Sequence, residues 1–250
     1  MNKNKCSAEL KSLAKGQLLG RYGIFITAEL IYGLIVTAIL LFTMFHVDLF
    51  SAAGTLIYYA IMFLVSVMCC IFTAGFTYMY LITYKGGHCL ATDVFHGFKN
   101  HADKIIIIGF ILNGISYLLM LPYTLCFQYF EQTQDALFFL IGCILLVIGE
   151  ALSLYISITF ALTYFIVLDF PGYSAVETLR LSHQLMRGHK GRYFYISLSF
   201  VPLGLLCMIT CGIAYLWLSP YMGMTYTNFY MDLMQSKQTA HNEMQENEPA

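Results

Sequence analysis

The stretch YGIFITAELIYGLIVTAILLFTMF, residues 22–45, decides the fold class, because its twenty-four residues carry a single charge, Glu29. At 1.5 Å per residue such a helix rises about 36 Å, enough to cross a hydrocarbon core of roughly 30 Å. Equally apolar runs occupy 52–84, 105–127, 136–168 and 193–231. The last is close to twice the length of one crossing and reads as two, joined by a tight turn near Cys211 and Gly212. Six transmembrane helices are therefore expected, in an all-α polytopic membrane helix bundle. Composition agrees: 59% of the 250 residues are hydrophobic and only 11% charged, outside the usual range of soluble domains.

Charge placement predicts orientation. Lys3, Lys5, Lys11, Lys15 and Arg21 precede the first run. Lys85, Lys99 and Lys104 lie between the second and third, Arg180, Arg187, Lys190 and Arg192 between the fourth and fifth, and Lys237 in the tail. In a six-span arrangement all thirteen fall on one side, while the opposite loops carry Asp48, Glu131 and Asp135. By the positive-inside rule the basic side, with both termini, is cytoplasmic. Basic residues spread over juxtamembrane clusters suit anionic headgroups and give no groove-sized patch for nucleic acid. The first apolar run lacks a small-residue cleavage pattern and is expected to stay in the mature protein.

The chain also reads as three copies of one unit, an interfacial amphipathic helix followed by a membrane hairpin, at about 7–84, 91–170 and 174–233. Leu10, Leu13, Ala14 and Leu18 follow helical spacing in the first copy, and Val94, Phe95, Phe98 and Ala102 in the second. The third opens on Ser174 and Glu177 in capping-box spacing. These helices are expected to lie in the headgroup plane. A Thr-Tyr pair recurs near the basic end of each second span: Thr77-Tyr78, Thr163-Tyr164 and Thr225-Tyr226. Such pairs suit an interfacial aromatic belt or, alternatively, a repeated binding surface. Pro122, Pro202 and Pro220 fall within the apolar runs, so kinks are expected there. Residues 1–234 thus form a single membrane domain, and 235–250, polar and aperiodic, a disordered tail.

Two acids stand out inside the spans. Glu29 begins a short polar stripe with Gly33 and Thr37, and Glu150 a longer one with Ser153, Ser157, Ala161 and Tyr164. Stripes of this kind usually face the bundle interior. An acid at membrane depth costs about 2.5–3.5 kcal/mol on insertion scales, so each needs a hydrogen bond, water or a cation. Asn113 is a candidate partner. The candidate intramembrane polar site is therefore Glu29, Glu150, Ser153, Ser157 and Asn113.

No catalytic residue, cofactor or metal is expected. Six of the eight cysteines, Cys69, Cys70, Cys126, Cys143, Cys207 and Cys211, sit in spans and behave as small apolar residues. His88, His96, His101, His183 and His189 lie in the basic-side segments as solvated polar residues. No GxSxG, HExxH, P-loop, GxGxxG or CxxC pattern occurs. The expected function is a noncatalytic scaffold or accessory protein acting at the cytoplasmic leaflet, with a small transporter or channel using Glu29 and Glu150 as the alternative. Membrane lipids are the expected partners, with another membrane protein as a second candidate.

The segment SAVETLRLSHQLMRGHKGRYFYISLSF, 174–200, with SPYMGMTYTNFY, 219–230, resembles the uncharacterised Gram-positive bacterial membrane family known as domain of unknown function 975. SAELKSLAKGQLLGRYG, 7–23, is similar to that family's opening motif, and LMRGHK, 185–190, to its Leu-Met-x-Gly-x-Lys turn. There is also an architectural likeness to the membrane domain fused to some glycerophosphodiester phosphodiesterases. The resemblance implies a multi-pass bacterial plasma-membrane protein and carries no activity or binding residues across.

Overall fold

The computed structural model describes residues 5–47 and 51–246, so the expectations placed on Lys3 and Asp48 fall outside the described residues. The chain is all helix: α1 Ser7–Leu18, α2 Tyr22–His46, α3 Ala52–Tyr84, a 3₁₀ turn at Ala91–Phe95, α4 His96–Lys99, α5 Ala102–Thr133 and α6 Ala136–Thr159. There follow α7 Thr163–Asp169, α8 Ala175–Met186, α9 Lys190–Leu198, α10 Val201–Ile209 and α11 Tyr215–Glu246.

Among the described residues five segments are long and apolar enough to cross a membrane: Tyr22–His46, Ala53–Tyr84, Ala102–Thr133, Ala136–Asp169 and Lys190–Ile209. The sixth expected crossing, α11, has the length but not the hydropathy. Its physical reason is position. From Met224 to Leu233 every residue except Tyr226 and Met231 is buried, including Thr225, Thr227, Asn228 and Asp232. A helix enclosed by protein can carry polar groups provided they are paired. Asn228 Nδ2 donates to Gln17 Oε1 at 2.8 Å and to the Met224 carbonyl at 3.0 Å. Asp232 accepts from Arg192 Nη2 at 2.7 Å, and Arg192 also donates to the Lys5 carbonyl at 2.5 Å.

Helix α11 packs against α1, α3 and α2, whereas α8 packs against α7, α5 and α6. The apolar face of α1, Leu10, Ala14 and Leu18, is fully buried, and Lys11 reaches the Ser199 carbonyl at 3.1 Å. The apolar face of α1 is therefore packed on protein. In the second unit the expected single helix divides: the 3₁₀ turn and α4 end at Lys99, His101 adopts φ 58°, and Ala102 opens α5. This segment wedges against α3, where a Cβ on Gly75 would meet the Val94 carbonyl oxygen at 1.9 Å and one on Gly97 the Ile71 carbonyl at 2.4 Å. Only glycine lets these two backbones approach so closely.

The third unit follows its sequence signal. Ser174 Oγ accepts from the Glu177 amide at 3.3 Å while the Ser174 amide donates to Glu177 Oε2 at 2.7 Å, the reciprocal pairing of a capping box. The carboxyl of Glu177 is held below its usual range first by the Ser174 amide that donates to it and then by the Ser174 hydroxyl beside it. The turn expected near Cys211 and Gly212 is present, with φ values of 49° and 86°. Pro202 sits in the first turn of α10, so the fifth crossing is jointed at Ser199 and Phe200. The fourth is broken at Phe160–Leu162, between α6 and α7. At the tail, helical backbone continues to Glu246 where an irregular segment from residue 235 is expected. Residues 235–246 contain no proline or glycine, and Ser236 and Thr239 bond back to the Asp232 and Gln235 carbonyls.

Candidate functional site

A cavity of about 350 Å³ lies where α2, α3, α7, α9 and α11 converge. Helix α2 contributes Glu29 and Tyr32, one turn apart. Helix α3 contributes Phe72, Thr73, Phe76, Thr77 and Tyr80, and the α6–α7 break and α7 add Ala161, Tyr164 and Phe165. Tyr193 comes from α9, and Tyr215, Ser219, Met222, Gly223 and Tyr226 from α11. Within the lining Thr73 and Tyr215 alone stay exposed, which places the open rim between α3 and the start of α11. Thr73 is eleven residues before the end of α3, so the cavity lies about 16 Å along that helix from its basic end.

The aromatic walls are pre-set by ring contacts. Tyr80 stacks on Phe25 at 4.9 Å, and its ring fills the space that a Cβ on Gly223 would occupy, 2.3 Å away. Tyr32 tilts onto Phe72 at 5.2 Å and meets Phe76 edge-on at 5.9 Å. Tyr193 stacks on Tyr226 at 5.0 Å, and the Tyr226 hydroxyl pairs with Ser197 at 3.2 Å. Geometries of this kind add about 0.5–1.5 kcal/mol per pair beyond area burial.

Glu29 is half-buried and accepts a hydrogen bond from the Ser219 hydroxyl. The phenols of Tyr32, Tyr80 and Tyr215 lie within electrostatic reach of its carboxyl. Among the described residues no Lys, Arg or His lines the cavity. The acid is thus held by one neutral donor, the Ser219 hydroxyl, and among the described residues no cationic side chain shares its cavity.

A second cavity of about 380 Å³ adjoins the first, sharing Thr73, Ala161 and Tyr164 with it. Its walls include Asn113, Ser116, Ser153 and Ser157. The expected five-residue site is therefore divided. Glu29 is in the first cavity, Asn113, Ser153 and Ser157 are in the second, and Glu150 is in neither. Asn113 does not partner an acid: its Nδ2 donates to the Gly109 carbonyl at 2.8 Å and to Cys70 Sγ at 3.2 Å.

Glu150 overturns the interior-facing expectation, because it is exposed on the outer surface of α6. Helix α6 turns its glycine face to α5, where Gly149 is buried against the Leu119 carbonyl and the Met120 side chain. Glu150, one residue on, is rotated about 100° away from that contact. Ser153 and Ser157 swing back to the cavity. Sequence spacing alone cannot tell which edge of a polar stripe reaches the interior.

The residues that sequence reasoning left out of the site are its tyrosines, and the signal for them was the Thr-Tyr repeat. Thr77, Tyr164 and Tyr226, one member of each pair, all line the first cavity. Their threonine partners Thr163 and Thr225 are fully buried behind it, and Tyr78 turns outward to stack on His96 at 3.4 Å.

Among the described residues no group of three or more His, Cys, Asp or Glu side chains converges as a metal site. Comparison with curated proteins and with solved structures returns no match. The family model described as a protein of unknown function (DUF975) matches residues 1–237, from the start of the chain into the last helix, and the chain belongs to that family.

Proposed function

We propose that this protein is a noncatalytic, solute-binding membrane protein of the transporter class, with the Glu29 cavity as its site. The single observation that carries the reading is an acid half-buried at membrane depth, inside a cavity with an open rim and, among the described residues, without a cationic side chain. Ionisable residues in such positions mark substrate or ion pathways by default. The adjoining cavity, which shares Thr73, Ala161 and Tyr164 with the first, supplies a second compartment. In the same reading α11 is the sixth crossing and the three units are repeats. The positive-inside rule then puts both termini on the cytoplasmic face of a bacterial plasma membrane.

The scaffold function expected from sequence relied on interfacial helices presenting a free surface. Those helices spend their apolar faces on protein: α1 on α11, the 3₁₀ turn and α4 on α3, and α8 on α7, α5 and α6. One observation still favours an accessory role: Glu150 stands among exposed apolar neighbours, Val147 at 68%, Ile148 at 51% and Leu154 at 51% exposure. A polar group on a lipid-facing surface is a natural contact for another membrane helix.

The two readings separate in one experiment. The tagged protein is extracted from its native membrane into lipid nanodiscs alongside Glu29→Gln and Glu150→Gln, and bound solutes and proteins are identified by mass spectrometry. The cavity reading expects a bound solute depleted about tenfold in Glu29→Gln and unchanged in Glu150→Gln, a loss of about 1.4 kcal/mol in affinity. A stoichiometric protein lost only with Glu150→Gln, with no solute in any sample, replaces it with the accessory reading.

A further inference from the structure

Resting on the solute-binding reading, we propose that the cavity takes an organic cation, an ammonium carrying methyl or other apolar substituents. Its charge would be met by the Glu29 carboxyl and its substituents by the surrounding ring faces.

Nine of the sixteen lining residues are aromatic, six Tyr and three Phe, and the sole ionisable group besides the phenols is one acid. That composition selects among ligand chemistries. An anion would need Lys, Arg or clustered amide donors, and the lining offers none of the first two. A bare divalent cation would need several oxygen ligands from carboxylates or carbonyls, and Glu29 is the one carboxylate present. A sugar would call for amide and carboxylate pairs around its ring, whereas the hydroxyl donors here are spread among aromatic faces. A substituted ammonium needs what is there: ring faces for its C–H surface, within about 6 Å of the ring centroids, and one negative charge.

Geometry narrows the site further. Tyr32, Phe72 and Phe76 form a corner of mutually tilted rings beside Glu29. Tyr80, fixed by its stack on Phe25, continues the same face of α3 two turns beyond Phe72. Rings already oriented by their neighbours lose little freedom when a ligand enters. A volume of about 350 Å³ is at the small end of ligand sites and suits a compact cation rather than an extended one. The same chemistry is found in a free amine and in the headgroup of a choline lipid.

The test uses the full chain in phosphatidylglycerol nanodiscs, which contain no ammonium lipid, with radiolabelled benzyltrimethylammonium and its neutral carbon isostere neopentylbenzene. Empty nanodiscs give the partitioning background. Saturable 1:1 binding of the cation, at least about tenfold tighter than the isostere, is expected, the ratio following from a desolvated cation–π contact plus one charge pair. Glu29→Gln should erase that preference. Thr73→Trp, which fills the rim from an exposed position, should block both ligands and serves if Glu29→Gln folds poorly. Repeating the titration in phosphatidylcholine nanodiscs identifies the source. Weakened binding assigns the site to a lipid headgroup and unchanged binding to a free cation, each supporting the ammonium assignment.

Equal affinity for cation and isostere overturns that assignment and leaves an apolar solute cavity. Failure of the cation while a neutral or anionic solute binds in a Glu29-dependent manner overturns it too, and leaves the solute-binding reading standing. If no solute of any charge binds the wild type, both fall.

Discussion

The half of the molecule at the basic end and the half away from it are built on different rules. From Leu30 to Ser66, along α2 and the first part of α3, only Thr43 and Gly54 are buried among the described residues. Along the next eighteen residues of α3, Val67, Ile71, Phe72, Ala74, Gly75, Thr77, Met79, Tyr80, Leu81 and Thr83 are buried. The far half leaves Leu34, Phe45, Met208 and Ile209 more than 70% exposed. Lipid tails solvate such side chains as well as another leucine would, so apolar burial does not draw the far ends of α2 and α3 together. Helix association in lipid rests on close packing and polar contacts, which for α2 and α3 are concentrated at the basic end, while the α5–α6 hairpin packs through Gly142 and Gly149. The Glu29 cavity lies at the boundary, where packed helices begin to part.

The largest expected contrast comes from the buried ion pair. Arg192 and Asp232 are 2.7 Å apart, with side chains 19% and 8% exposed. Arg192→Ala leaves a buried carboxylate unpaired and should cost about 3–5 kcal/mol. Leu34→Ala, at a side chain 74% exposed, should stay within about 0.5 kcal/mol. Unfolding in a mild detergent measures both. Equal losses would break the distinction between the halves. Replacing both partners by Met and Leu should recover much of the first loss, since the penalty lies in the orphaned charge.

A smaller contrast tests close approach. Gly75→Ala drives a methyl into the Val94 carbonyl, so the 3₁₀ turn or α3 must shift, at about 1–3 kcal/mol. Gly33→Ala, which meets nothing within 4 Å, should gain up to about 1 kcal/mol from helix propensity. Thermal midpoints moving in opposite directions are expected. If both variants move upward, the wedge against α3 is looser than its geometry implies.

The apolar runs made five helices legible, because a segment facing lipid must be apolar along its whole length. The Ser174–Glu177 capping box and the Cys211–Gly212 turn were legible for a local reason, since their partners are five residues away or less. What could not be read was anything decided by a distant partner. Helix α11 looks too polar to cross a membrane because Gln17, Lys5 and Arg192, all remote in sequence, satisfy its polar groups. Glu150 and Ser153 share a helical stripe, yet the buried contact of Gly149 on α5 sends them to different surroundings. Glu29 was legible as a buried acid, and its aromatic surroundings were half legible in the Thr-Tyr repeat. The assembly of tyrosines from five separate helices around one cavity was not.

The smallest expected effect sharpens the same comparison through pH, since the titrating histidines with resolved shifts sit at the packed end. His96 stacks on Tyr78 and is part-buried, and that burial lowers its pKa below 6.5, with His101 and Lys99 adding to the effect and Asp93 opposing it. His189 is lowered as well, by burial and then by Arg192, with Asp232 opposing. A base whose folded pKa is depressed binds its proton more readily when unfolded. The stability it contributes is present above about 6.5, the unfolded value, and is lost as pH falls from there toward the lower folded value. The effect should be small, because a part-exposed ring is screened by solvent. His96→Phe keeps the stack on Tyr78 and removes one of the two titrations. The thermal midpoint of the wild type should therefore fall more steeply than that of His96→Phe on acidification below about 6.5, with the two curves parallel above it. Parallel curves throughout would mean that His96 is as open to solvent folded as unfolded, and would move the boundary of the packed end inward from α4 to α3.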